Sequence, residues 1–164
     1  MRPQNKPTEQ TGRTQQDATS PATAVAEIKT IIETYVDAAC HRKFARLAEL
    51  YAPDVRAFDA IGALEFRGRE AYMKHWTDSM AGFDGEMIFE VHHQEIAVEG
   101  TLAFSHSLIY CGGKDNDGNT QASWMRSSQA YRKVGSRWLI VHEHYSLPFD
   151  GQTGQMLGNL TPRN

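Results

Sequence analysis

Asp59 is the only acidic residue in a largely apolar run, Val55-Arg56-Ala57-Phe58-Asp59-Ala60-Ile61-Gly62. Period-two alternation puts Val55, Ala57 and Asp59 on one face of a strand and Phe58 and Ala60 on the other. A carboxylate at the end of a strand facing an apolar interior is either a fold-stabilising acceptor or a base, and these residues alone leave both open. The second stretch with chemical content is Arg137-Trp-Leu-Ile-Val-His-Glu-His-Tyr-Ser146. Strict alternation there predicts Trp138, Ile140, His142, His144 and Ser146 on one face, with Leu139, Val141, Glu143 and Tyr145 on the other. Two histidines so spaced reach one site. A metal would need a third ligand, for which His92, His93 and His106 are the candidates, and the spacing matches no metal signature. The reading taken is therefore histidines lining a semi-polar cavity, with no metal.

Trp124, Arg126 and Ser128 share a face of the preceding strand. An inward Arg126 needs a carboxylate or an anionic ligand; the alternative turns it outward, with Met125 and Ser127 inward. His41 reads as a cap at the end of the first helix, and His75 as a surface residue. Tyr35 alone reads as a core aromatic. The chain has no GxSxG, P-loop or GxGxxG motif, which leaves nucleophile-elbow and nucleotide chemistries without support.

The elements that position these residues follow from periodicity. Ser20-Pro21 is a helix-start signal. Val25, Ile28, Ile32, Tyr35, Val36 and Ala39 then trace a long amphipathic helix. Phe44 to Ala52 predicts a second helix stopped by Pro53. A short extended piece, Leu64-Glu65-Phe66, and a helix over Arg69 to Met80 come next. Gly82 and Gly85 break the chain before four strands: Glu86 to Val98, Leu102 to Cys111, Thr120 to Lys133 and Arg137 to Ser146. Helices followed by an antiparallel meander predict an α+β fold, one curved sheet wrapped round three helices. Residues 1–20 are polar and predicted to be a disordered tail, 21–148 the folded domain, and 149–164 a flexible tail.

The chain has 164 residues, 40% hydrophobic and 23% charged, with a formal net charge of −3. That is enough for one self-sufficient core, and the absence of a basic excess argues against nucleic acid as a partner. Cys40 and Cys111, far apart, suggest neither a disulfide framework nor a zinc knuckle. No run suits a membrane helix, and MRPQNKPTEQTGRTQQDATS lacks the apolar core of a signal peptide. A cytoplasmic location is the resulting expectation.

Three segments carry a family resemblance. IIETYVDAACHRKFARLAELYAPDV resembles the opening helices of the nuclear-transport-factor-2-like superfamily, which includes ketosteroid isomerase, SnoaL-like polyketide cyclases and scytalone dehydratase. FDAIGALEFRGREAY resembles its strand–turn–helix segment. GSRWLIVHEHYSLP resembles the final strand of an uncharacterised SnoaL-like branch and, in its HxHxS, the association domain of calcium/calmodulin-dependent protein kinase II. The resemblance runs from about Ala24 to Pro148. It implies a cone-shaped curved sheet (a cystatin-like, ketosteroid-isomerase-like α+β barrel), an apolar pocket and a homodimer. It also implies acid–base isomerase, dehydratase or cyclase chemistry on an apolar carbonyl compound without a cofactor, or else a non-catalytic binding or assembly module. Carried over, the general-base Asp of ketosteroid isomerase falls on Asp59 and its oxyanion-hole Tyr on Tyr35. That enzyme's second acid has no counterpart in Arg126-Ser-Ser-Gln-Ala130, so His142 or His144 is expected to supply the acid. Phe58, Trp76 and Trp124 are expected to wall the pocket, with Arg126 and Ser128 beside the ligand.

Overall fold

The computed structural model describes residues 20–81, 85–115 and 117–163. The N-terminal tail, apart from Ser20, and the break at Gly82 lie outside the described residues. Helix α1 spans Pro21–Cys40, α2 Phe44–Ala48 and α3 Arg69–Met80. The strands are β1 Tyr51–Phe58, β2 Phe66–Arg67, β3 Glu86–Glu99, β4 Leu102–Lys114, β5 Thr120–Val134 and β6 Arg137–Ser146. They form one six-stranded sheet in the order β2-β1-β6-β5-β4-β3. All pairings are antiparallel except β1 with β6. This is an α+β architecture with the helices packed on one face of the sheet.

Helix α1 begins as its sequence predicts, with the Ser20 side chain accepting a hydrogen bond from the Thr23 N–H. It lays Ala24, Ile28, Ile32, Tyr35, Ala38 and Ala39 into the core. Ile28, Leu47, Val55 and Ile140 are fully buried, each contributing about 1.5–3 kcal/mol relative to exposure. Glu27 ties α1 to the sheet by accepting from the Trp138 indole N–H at 2.8 Å and from Lys133 at 3.0 Å. His41 is the C-cap of α1, as its position suggests.

Two expectations fail here for local reasons. The second helix stops at Ala48 rather than Ala52, because Tyr51 and Ala52 are buried in β1 and Tyr51 pairs with Ile140. Pro53 sits inside that strand without removing a ladder bond, since β1 and β6 lose register between Tyr51 and Arg56. The second failure lies in β6. Tyr131 pairs with Ile140 but Ala130 pairs with His142, so Val141 is an extra, bulged residue. A one-residue bulge reverses the alternation beyond it. Trp138 and Ile140 therefore share the inner face with Glu143 and Tyr145, all buried, while His142 and His144 turn to the outer face.

Registers place Trp124, Arg126 and Ser128 on the outer face too. They pair with Tyr110, Leu108 and His106, and Ser128 pairs on its other side with His144. Arg126 is exposed, whereas Ser127 and Gln129 are buried. The outward alternative for Arg126 is the one observed. After β6, Phe149 bridges to Met156, and Asp150 accepts from the backbone of Gln152 and Thr153.

β4 continues through Gly112 and Gly113 to Lys114 instead of ending at Cys111. Glycine is required at the first of these, since an added Cβ would lie 2.0 Å from the Gln121 carbonyl oxygen. Gly112→Ala is expected to lower stability by roughly 1–3 kcal/mol or to force the β4–β5 pair apart. Equilibrium denaturation tests this, and an unchanged midpoint would contradict the register.

Candidate functional site

Where β1 ends, Asp59 and α3 together line a cavity of about 90 Å³. Ile61, Met80, Phe89 and Met125 supply much of its apolar wall, and Asp59, His75, Trp76, Cys111 and Tyr145 also line it. Tyr72, His75 and Trp76 stand at i, i+3 and i+4 on α3, the spacing that puts side chains on one helix face. The imidazole of His75 stacks on Phe66 at 4.3 Å. Gly62, at φ +83°, passes so close that a Cβ there would lie 3.1 Å from that ring, which accounts for glycine at this turn.

The Asp59 side chain is only 13% exposed. Its Oδ1 accepts from the Ile61 N–H at 3.2 Å, and its Oδ2 lies 3.0 Å from the Tyr72 hydroxyl oxygen and 3.5 Å from His75 Nε2. A carboxylate offers about four lone-pair sites, so these contacts leave acceptor capacity for a ligand. The Cys111 thiol is pushed up to about 12 by burial, which keeps it neutral and a poor nucleophile. Trp76 is buried, and its indole N–H has no partner among the described residues. An unsatisfied buried donor costs about 1–3 kcal/mol.

Behind Asp59 lies a second carboxylate. Glu143 is fully buried. Its Oε1 accepts from the hydroxyls of Tyr72 at 2.7 Å, Tyr51 at 2.8 Å and Tyr35 at 3.1 Å, and its Oε2 accepts from the Gln129 amide at 2.5 Å. Tyr145 donates to the Tyr35 hydroxyl at 3.0 Å. Burial raises Glu143 to about 7 against the lowering pull of its donors, Tyr72 foremost. Tyr35, Tyr51, Tyr72 and Tyr145 are all held well above the usual phenol range, first by burial and next by the charge of Glu143. They stay neutral and act as donors.

Of the residues singled out in the sequence, the cavity brings together Asp59 and Trp76. Tyr35 is not in its lining, and its hydroxyl proton is directed to Glu143. His142, His144 and Phe58 form an aromatic group on the far side of the sheet, where Phe58 meets the two imidazoles at 4.9 and 5.8 Å. His142 Nδ1 lies 2.8 Å from the Arg56 carbonyl oxygen. Trp124, Arg126 and Ser128 share that far side. Alternation along β1 turns Phe58 away from Asp59, and the bulge at Val141 and the matching registers of β4 and β5 separate the other five from it. His75, expected at the surface, is instead 13% exposed and beside Asp59. Its spacing from Tyr72 and Trp76 is the signal that could have found it. Glu143 and Tyr145 carry no such signal, because only the bulge turns them inward.

Residues 28–150 match the SnoaL-like domain. The chain belongs to the SnoaL-like family. An NTF2-like protein of unknown function from Pseudomonas putida KT2440 is 38% identical, covering 87% of this chain and 100% of its own, with a TM-score of 0.80. A dehydratase candidate of the NTF2-like family from Streptomyces avermitilis is 19% identical over 77% of this chain and 97% of its own, with a TM-score of 0.67. A candidate calcium/calmodulin-dependent protein kinase II association domain from Xanthomonas campestris is 18% identical over 82% of this chain and 96% of its own, with a TM-score of 0.64. The last two likenesses show the fold alone. No curated protein matches the chain. Among the described residues of this SnoaL-like protein, no helix is long and apolar enough to cross a membrane.

The buried carboxylate gives the SnoaL-like domain a pH signature. Glu143 binds its proton more tightly folded, at about 7, than at its ordinary 4.5. Its contribution to stability is therefore complete below the lower value and is lost as the pH rises to the upper one. Relative to Glu143→Gln, the wild type should lose a few kcal/mol over that interval. Denaturant titrations across pH test this, and parallel curves for the two proteins would contradict it.

Proposed function

We propose that this chain is a small-molecule pocket protein performing cofactor-free acid–base chemistry on a compact apolar carbonyl compound, by isomerisation, dehydration or cyclisation. One observation carries the reading: a carboxylate, an imidazole and an unpartnered indole N–H all belong to residues lining one apolar cavity. Asp59 takes the proton from the carbon beside the carbonyl. The Trp76 N–H donates to the oxygen on which negative charge then develops, gaining the partner it otherwise lacks. His75, at 3.5 Å from Asp59, returns a proton or delivers one to a leaving hydroxyl. These roles replace those first assigned to Tyr35, His142 and His144. A cavity of about 90 Å³ is below the usual 300–1,000 Å³ of ligand sites and favours a small substrate over a steroid. A dehydratase candidate among proteins of this fold is consistent with such chemistry.

In deuterated water, the wild type should speed hydrogen exchange beside the carbonyl of a small apolar ketone or aldehyde. Asp59→Asn should lower that rate by roughly 10²–10⁴ while keeping the fold, as circular dichroism would check. Equal rates in the two proteins would remove Asp59 as the base.

A second reading, a dimeric assembly module, is favoured by the outer sheet face, which leaves Leu102 57%, Phe104 45% and Phe58 37% exposed. Such a face suits a second copy of the chain. Sedimentation should then show a dimer that Phe104→Glu converts to a monomer; a monomeric wild type would exclude this reading.

A further inference from the structure

Tyr72 has one hydroxyl proton and two carboxylates within reach of it. Glu143 Oε1 is 2.7 Å away on one side and Asp59 Oδ2 is 3.0 Å away on the other. A hydroxyl donates one hydrogen bond at a time. With both carboxylates ionised, one of these contacts sets bare oxygens against each other in a site shielded from water, where such a mismatch is costly. A single added proton removes the conflict: a protonated Glu143 donates to the Tyr72 oxygen, and Tyr72 donates to Asp59.

Among the described residues, the groups facing the two carboxylates are almost all neutral donors. Glu143 is faced by Tyr35 from α1, Tyr51 from β1, Tyr72 from α3 and Gln129 from β5, and Tyr145 of its own strand reaches it through Tyr35. Asp59 is faced by His75 and Tyr72 from α3 and shares the cavity with Cys111 of β4 and Tyr145 of β6. Among the described residues, no lysine or arginine pairs with either carboxylate, and His75 is the one group that can bring positive charge.

We propose that Tyr72 joins Asp59 and Glu143 into one unit holding a single proton between them, with Glu143 as a positioning residue that sets how basic Asp59 is toward a ligand in the cavity. The catalytic part of this statement rests on Asp59 being the base proposed above; the coupling does not. When Glu143 carries the proton, Tyr72 donates to Asp59 and stabilises its carboxylate, which weakens it as a base. When Glu143 ionises, Tyr72 turns its proton away, and Asp59 both loses a donor and faces a second negative charge. Each change raises its affinity for a proton. Asp59 thus becomes the stronger base as Glu143 deprotonates, an event that burial brings near neutral pH. The two groups must then titrate as a pair.

The test follows the Asp59 carboxyl carbon by ¹³C NMR across pH in the ligand-free wild type, Tyr72→Phe and Glu143→Gln. The wild type should show two inflections at Asp59, the upper one coinciding with the titration of Glu143. The upper inflection should vanish in Glu143→Gln and shrink in Tyr72→Phe. A single inflection at Asp59 in the wild type, or an undiminished second one in Tyr72→Phe, overturns the proposal. If Glu143→Gln fails to fold, the wild type and Tyr72→Phe still decide the question. Coupling found alongside Asp59→Asn exchange rates equal to wild type would remove the proposed reaction and leave the linked pair standing.

Discussion

The Glu143 carboxylate is the interaction on which the rest of the structure depends. It takes hydrogen bonds from α1, β1, α3 and β5 while belonging to β6, so five elements meet at two oxygen atoms. A buried carboxylate is tolerated only when its lone pairs are filled, and filling them fixes where each tyrosine must stand. Tyr72 in turn fixes α3, and α3 carries His75 and Trp76 to the cavity. Removing the acid would leave three hydroxyls and an amide without their acceptor, which is why the pocket and the core are one construction rather than a site placed on a finished fold.

The bulge at Val141 is what makes that acid available. Without the extra residue, Glu143 and Tyr145 would leave the inner face while His142 and His144 entered it, giving an imidazole-lined interior of different chemistry. The bulge also creates two unlike faces. The inner face is lined by hydroxyls and two acids, Glu143 and, at the end of β1, Asp59; the outer face carries Phe58, Phe104, Trp124 and the two histidines. The polar inner set suits chemistry and the apolar outer set suits contact with another surface, so the two functional readings concern different sides of one sheet.

Much of the fold was legible in the sequence because apolar periodicity reports burial directly. The start of α1 at Ser20-Pro21, the span of α3 and the onset of each meander strand follow from it. The end of α2 is not legible, because Tyr51 and Ala52 fit a helix stripe as well as a buried strand, and Pro53, a residue that stops helices, lies in an unpaired stretch of β1. Asp59 was legible as an isolated acid at a strand end, and Trp76 only as a pocket wall that the family resemblance implies. Glu143 was not, since a bulge leaves no mark in a sequence read by strict alternation. Nor did sequence separate the roles of Tyr35 and Tyr72, which depend on which hydroxyl reaches which carboxylate.

Ligand entry into the cavity between Asp59 and Trp76 can be followed directly, because the three tryptophans of the chain provide separate reporters. Trp76 lines the cavity, Trp124 lies on the outer face beside Tyr110, and Trp138 is bonded to Glu27 in the core. A titration of small apolar carbonyl compounds followed by the indole ¹H–¹⁵N resonances therefore separates the possibilities in one spectrum. Binding in the cavity should give a saturable shift at Trp76 alone, in the direction of a newly formed hydrogen bond. A shift at Trp124 with Trp76 unmoved would contradict it and place binding on the other side of the sheet.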